Sequence, residues 1–145
     1  MNKVYSTKPG VYYVKDKPLV IDKSLVRFLA LECQRLSINS ARICVHDSHQ
    51  SNLMVMLVVV INRYSYPTHK HDWKDESYTI VEGSARFECM NSKGEVETSV
   101  ELVEGQTILN NMKEYHRLEP NSKILAFIET TTGPFTNRPL EFLRK

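Results

Sequence analysis

The sequence is poor in several features at once, and each shortage removes a class of protein. Its three cysteines, Cys33, Cys44 and Cys89, are odd in number, widely spaced and form no CxxC pair. That pattern supports neither a disulfide framework nor a zinc–thiolate site, and a reducing cytoplasm suits it. An excess of one charge is missing too: 19 basic side chains face 17 acidic ones, for a formal net charge of +2. Binding to nucleic acid or to an anionic membrane needs clustered positive charge, so neither partner is expected. Long apolar runs are absent. The longest, Leu53 to Ile61, is roughly half of what a membrane-spanning helix requires and reads as a buried strand. Residues 1–17 are polar, with lysines at 3, 8, 15 and 17, so no signal peptide is expected.

What is present is an ordinary globular composition, 41% hydrophobic and 25% charged, in 145 residues. That length suits one domain with a core of its own. Residues 1–20, with Pro9-Gly10 and Pro18, read as an irregular or strand-like arm, and 21–145 as a single domain. Asp22 stands where an N-cap belongs. Behind it Leu25, Phe28, Leu29, Cys33 and Leu36 follow the helical period and leave Arg27, Glu32 and Arg35 outside, which predicts one helix over 23–37.

From Ala41 the pattern changes to short strands, expected at 41–46, 53–66, 77–82, 84–91, 96–103, 106–110, 114–119 and 123–131. Glu82-Gly83-Ser84, Asn91-Ser92-Lys93-Gly94, Glu104-Gly105 and Pro120-Asn121-Ser122 supply turns between them. Many short strands with regular turns point to an all-β sandwich or barrel.

The stretch richest in chemistry is Pro67-Thr68-His69-Lys70-His71-Asp72-Trp73-Lys74-Asp75-Glu76. Residues two apart on a strand project to one face, so His69 and His71 offer two imidazoles side by side. Four polar residues then suit a turn that returns Glu76 beside them. His116, beyond Gly105, is the best fourth ligand; His46 and His49 lack any spacing tied to the first cluster. Arg42 and His46 share a strand face, and Arg42 at the mouth of a barrel could clamp a phosphate or carboxylate. Arg63 shares the parity of His69 and His71 if the strand there is unbroken. Tyr78 shares the parity of Glu76 and is a packing residue or an acid–base group. Trp73 is either a lid over the mouth or a patch for a partner subunit.

His69-x-His71-x4-Glu76-x6-Gly83 resembles the first cupin motif at every signature position, and Gly105-x10-His116 has the glycine-to-histidine spacing of the second. Inside the second motif the usual Pro-x-Gly is Asn111-Met112-Lys113, and the asparagine that usually follows the histidine is Pro120. More narrowly, the Asp22-led helix, Arg42-x3-His46, the His-x-His motif and Gly133-Pro134-Phe135 are similar to the WbuC family of cupin-fold metalloproteins. The resemblance implies an all-β, jelly-roll barrel of the cupin type with one N-terminal helix outside it. It also implies one divalent metal on His69, His71, Glu76 and His116, in a setting of bacterial O-antigen and other surface polysaccharides.

Three imidazoles and a carboxylate suit Fe, Mn, Ni, Co or Zn, and the sequence does not choose among them. The leading expectation is a metal-dependent enzyme, an isomerase acting on a sugar or sugar nucleotide, with His46 or Tyr78 moving the proton and Arg42 and Arg63 holding substrate. A non-haem iron oxygenase and a non-catalytic ligand-binding or assembly subunit are the alternatives. Analogy with small barrels adds the expectation of a homodimer, to which the arm could contribute by exchange.

Overall fold

The computed structural model describes residues 4–110, 113–134 and 140–143. The chain forms two β-sheets with one helix. Strands β1 (Val4–Lys8) and β2 (Val11–Val14) make a hairpin out of the arm, followed by helix α1 (Lys23–Arg35). Then come β3 (Ser40–Cys44), β4 (Leu53–Ile61), β5 (His69–Lys70), β6 (Glu76–Glu82) and β7 (Ser84–Met90). The remaining strands are β8 (Val96–Val103), β9 (Thr107–Asn110), β10 (Tyr115–Pro120), β11 (Ile124–Thr132) and β12 (Glu141–Phe142). The larger sheet runs β1-β2-β3-β4-β11-β6-β9 and the smaller β12-β5-β10-β7-β8. The arm is thus paired within its own chain, where β2 lies parallel to β3.

The helix begins as its sequence predicts. The Asp22 carboxylate accepts hydrogen bonds from the backbone N–H of Ser24 and Leu25 at 2.9 and 3.2 Å, satisfying donors that the first turn leaves without partners. It stops at Arg35, two residues short of the expected end, because Ser37 adopts a left-handed conformation with φ 55°. Its apolar face, Leu25, Val26, Leu29 and Cys33, packs on Ala41, Ile43, Leu57 and Val59 of the large sheet. The opposite face of that sheet turns Met56, Val58, Val60, Ile80 and Phe127 toward Ala85, Phe87 and Leu102 of the small sheet. Strand β4 is therefore covered on both sides, which is why its sequence is an uninterrupted apolar run and not an alternating one.

Two expectations need correction. The sheets do not close into a barrel: among the described residues no ladder joins β1 or β9 to β8 or β12. Closure needs a continuous ring of hydrogen bonds, and β5 and β12 have two residues each. The expected strand over 53–66 ends at Ile61, because Asn62 and Arg63 both take positive φ, 58° and 55°, and turn the chain. Parity counted across that turn fails, so Arg63 is exposed at the end of the sheet away from Glu76 and not beside the histidines.

The connections between sheets set up the site. At one end the turns at Gly83, Gly105 and 121–123 carry the chain across. At the other, residues 71–75 cross from β5 to β6, and the segment between Asn110 and Tyr115 crosses from β9 to β10. Both histidine-bearing segments therefore cross at the same end. Of the variant second-motif turn, Asn111 and Met112 lie outside the described residues, as does Phe135.

Candidate metal centre

Each of the four donors has a distinct structural reason to be where it is. His116 on β10 is directly opposite His69 on β5, so cross-strand pairing sets two imidazoles side by side, with ring centroids 4.8 Å apart. His71 follows β5, where the chain leaves the small sheet, and its ring centroid is 4.9 Å from that of His116. Glu76 opens β6 in the large sheet, opposite Asn110 on β9 and Thr131 on β11. The result is a group in which one potential ligand atom from each of His69, His71, Glu76 and His116 lies within 4.8 Å of all the others. His71, Glu76 and His116 are buried and His69 is partly so.

The ring orientations are fixed from behind. The Nδ1–H of His69 donates to the Pro67 carbonyl and that of His116 to the Glu114 carbonyl, each at 2.9 Å. Both rings thereby present Nε2 to the group, the arrangement in which an outer hydrogen bond selects the tautomer of a metal-binding histidine. Burial lowers the pKa of His69 against the opposing pull of the Pro67 carbonyl, which favours the neutral form that ligation needs. Glu76 is anchored as firmly. Its Oε1 accepts from the Tyr78 hydroxyl at 2.7 Å and from Asn110 Nδ2 at 3.3 Å. Burial pushes its carboxyl pKa up, but His116, His71 and Lys74 outweigh that and hold it well below the usual carboxylate range.

The donors do not satisfy one another. His116 Nε2 and His71 Nε2 lie 2.7 and 3.1 Å from Glu76 Oε1, yet neither is aligned for a hydrogen bond. Both nitrogens are buried without a hydrogen-bond partner. Such groups are costly in a folded protein unless something else meets them. The four donor atoms, all within 4.8 Å of one another, span about the width of a transition-metal shell with bonds near 2.1 Å. A mixed nitrogen–oxygen set of this kind fits a divalent transition metal.

Solved structures with a similar fold are known. A cupin-superfamily protein from Desulfitobacterium hafniense matches with a TM-score of 0.53 at 13% identity, over 64% of this chain and 76% of that one. The chain has the cupin fold. A double-stranded β-helix protein from Klebsiella pneumoniae matches this chain at TM-score 0.57 and 14% identity, over 74% and 86% of the two chains. CapF, solved with the inhibitor 3-isopropenyl-tropolone, matches at 0.63 and 12% identity, over 74% of this chain but 33% of CapF. Neither a family profile nor a curated protein sequence matches this chain.

The other residues singled out in the sequence fall in different places. The Tyr78 hydroxyl is spent on Glu76, and burial together with the Glu76 and Glu129 charges raises its pKa well above the ordinary phenol value. Tyr78 thus positions the Glu76 carboxylate. His46 is buried across the sheet from the four donors, with Nδ1 3.2 Å from the Val55 carbonyl and its ring edge-on to Tyr13. Arg42 sits deeper than a mouth position. It pairs with Val58, shares the inner face with Cys44, and its Nε is buried without a hydrogen bond. Trp73 lines a pocket of about 240 Å³ that opens beside His71 and is bordered by Lys74, Lys113 and Thr132. No helix among the described residues is long and apolar enough to cross a membrane.

Three residues around the site were missed from sequence: Asn110, Lys74 and Glu129. Glu129 left a signal in its parity, sharing a face of β11 with Phe127 and Thr131, and Asn110 ends a strand opposite Glu76; Lys74 precedes β6 in a loop, where parity does not apply.

Proposed function

We propose that this cupin is a metal-dependent enzyme that isomerises a keto-sugar or a nucleotide-linked keto-sugar, with surface-polysaccharide synthesis as its setting. The observation that carries the reading is the convergence of four donors from two sheets with buried nitrogens unspent on one another, beside a pocket open to small molecules. When bound there, a divalent ion supplies Lewis acidity to a carbonyl or hydroxyl oxygen.

The chain's own groups have separable tasks. Pro67 and Glu114 carbonyls fix two imidazoles, and Tyr78 and Asn110 fix the carboxylate. Arg42, partly buried with its Nε free of any hydrogen bond, suits a phosphate or carboxylate on the substrate. Glu129 faces the same space from β11, and burial raises its pKa toward the range where an Oε1 can take up and return a proton.

The reading is tested by titrating protein loaded with Mn, Fe, Co, Ni or Zn against a panel of nucleotide keto-sugars, with interconversion followed by NMR. Metal-dependent binding and turnover of at least one member are expected, weakened about tenfold in Arg42→Gln by loss of a charge-assisted contact of roughly 1.5 kcal/mol. Absence of binding and turnover across the panel, with the metal fully loaded, refutes it.

A further inference from the structure

The two oxygens of Glu76 live in different surroundings. Oε1 faces the imidazoles and holds the Tyr78 and Asn110 hydrogen bonds, while Oε2 faces Lys74, whose Nζ lies 3.0 Å away as an ion pair. Lys74 is itself mostly buried, with a side chain 12% exposed. Its ammonium also lies 3.9 Å from Glu129 Oε1 and 5.8 Å above the Trp73 ring. The loop that carries it is stitched to the end of β11. Asp75 N–H donates to Thr132 Oγ1 and Thr132 N–H to the Asp75 carbonyl, both at 3.0 Å.

We propose that Lys74 is a positioning residue that holds Glu76 as a one-oxygen ligand and thereby keeps a coordination position free for an incoming molecule. The inference rests on the metal-site reading above and specifies how that site stays open. A carboxylate that chelated through both oxygens would have to turn Oε2 away from Lys74 and toward the imidazoles. Chelation would therefore pull Oε2 out of its 3.0 Å ion pair and leave the mostly buried ammonium with the more distant Glu129 Oε1 at 3.9 Å, and weakening a buried pair in this way is unfavourable. Lys74 also lines the pocket beside His71, so the position it protects faces the space where a small molecule enters.

The role differs from simple neutralisation of a buried acid, and the two can be separated. Wild type, Lys74→Met and Lys74→Arg are loaded with Co(II) and metal content is measured. Carboxylate geometry is then read by X-ray absorption, and azide is titrated while the cobalt absorption is followed. One cobalt per chain is expected in all three proteins. In wild type and Lys74→Arg, Glu76 ligates through one oxygen and azide shifts the spectrum. In Lys74→Met the carboxylate carbon moves closer to the ion and azide affinity falls about tenfold, the lower end of what loss of an outer partner costs a metal site. A Lys74→Met protein with wild-type carboxylate geometry and azide affinity overturns the inference while leaving the metal site intact. A wild type that takes up no cobalt overturns the metal-site reading itself, and this inference with it. Lys74→Gln, with a polar end of shorter reach, is measured alongside and read by the same outcomes should the methionine variant lose its circular dichroism.

Discussion

Replacing His116 by glutamine should remove most of the stability that metal gives this protein. The donors come from both sheets, so the assembled site exists only in the folded chain, and bound metal stabilises by RT ln(1 + [L]/Kd). At a metal concentration a hundred times Kd that is about 2.7 kcal/mol. Unfolding entropy near 2.1 cal/mol/K per residue gives roughly 0.3 kcal/mol/K for a chain this long, so the wild-type melting temperature should rise by about 9 °C. Loss of an outer partner weakens metal sites by 10- to 100-fold, and loss of a direct ligand by at least the upper figure. With Kd a hundredfold larger the same metal concentration yields about 0.4 kcal/mol, a rise of about 1 °C. The substitution also costs the metal-free protein something, since the His116 ring is buried against Phe87. The quantity to compare is therefore the rise on adding Zn(II) or Mn(II) within each protein, measured by differential scanning calorimetry. His49→Gln, on an exposed loop, should keep the full rise. A His116→Gln protein that gains as much as wild type would show that metal binds elsewhere, and the four-donor centre would have to be abandoned.

Two further outcomes follow from the fold. Gly83 has φ +88°, and a Cβ there would meet the Ile124 carbonyl oxygen at 2.6 Å; Gly105 has φ +87° with nothing within 4 Å. Both pay the left-handed penalty of about 1–2 kcal/mol on mutation to alanine, but Gly83→Ala adds a backbone clash and should be at least about 1 kcal/mol worse in urea unfolding; equal losses would contradict this. The second concerns Glu32, where hydrogen bonds from Arg35 and Tyr12 outweigh burial and hold the carboxyl at about 2, below its ordinary 4.5. A depressed folded pKa gives stability that is complete above 4.5 and disappears as the pH falls toward 2. Because Arg35 is largely exposed the effect is screened, so Tyr12→Phe should cost about 1 kcal/mol at pH 7 and clearly less at pH 2.5. A cost independent of pH would refute the coupling.

Much of this was legible in the sequence, for reasons that differ from element to element. Helix α1 announced itself through Asp22 and a 3.6-residue period, both of which act locally. The donor set was readable because strand alternation and two short crossings convert spacing into position, and His69, His71, Glu76 and His116 do converge. Arg63 was misplaced because parity holds only while φ stays negative; Asn62 is of a type that tolerates the left-handed region, but nothing in Arg63 announces a second such residue after it. Barrel closure was overestimated because it depends on edge pairing, a property of the assembled sheets and not of any one strand. Lys74 and Glu129 escaped because their partners are each other and Glu76, across a fold that the linear order of residues does not display.

The unjoined edges of the two layers give the ion a mechanical meaning as well as a chemical one. Near Gly83 the layers are riveted by three tight turns of the backbone itself, whereas at the opposite rim they meet through longer segments and four side chains. A cation held there would tie the two layers together at the rim that the tight turns do not join.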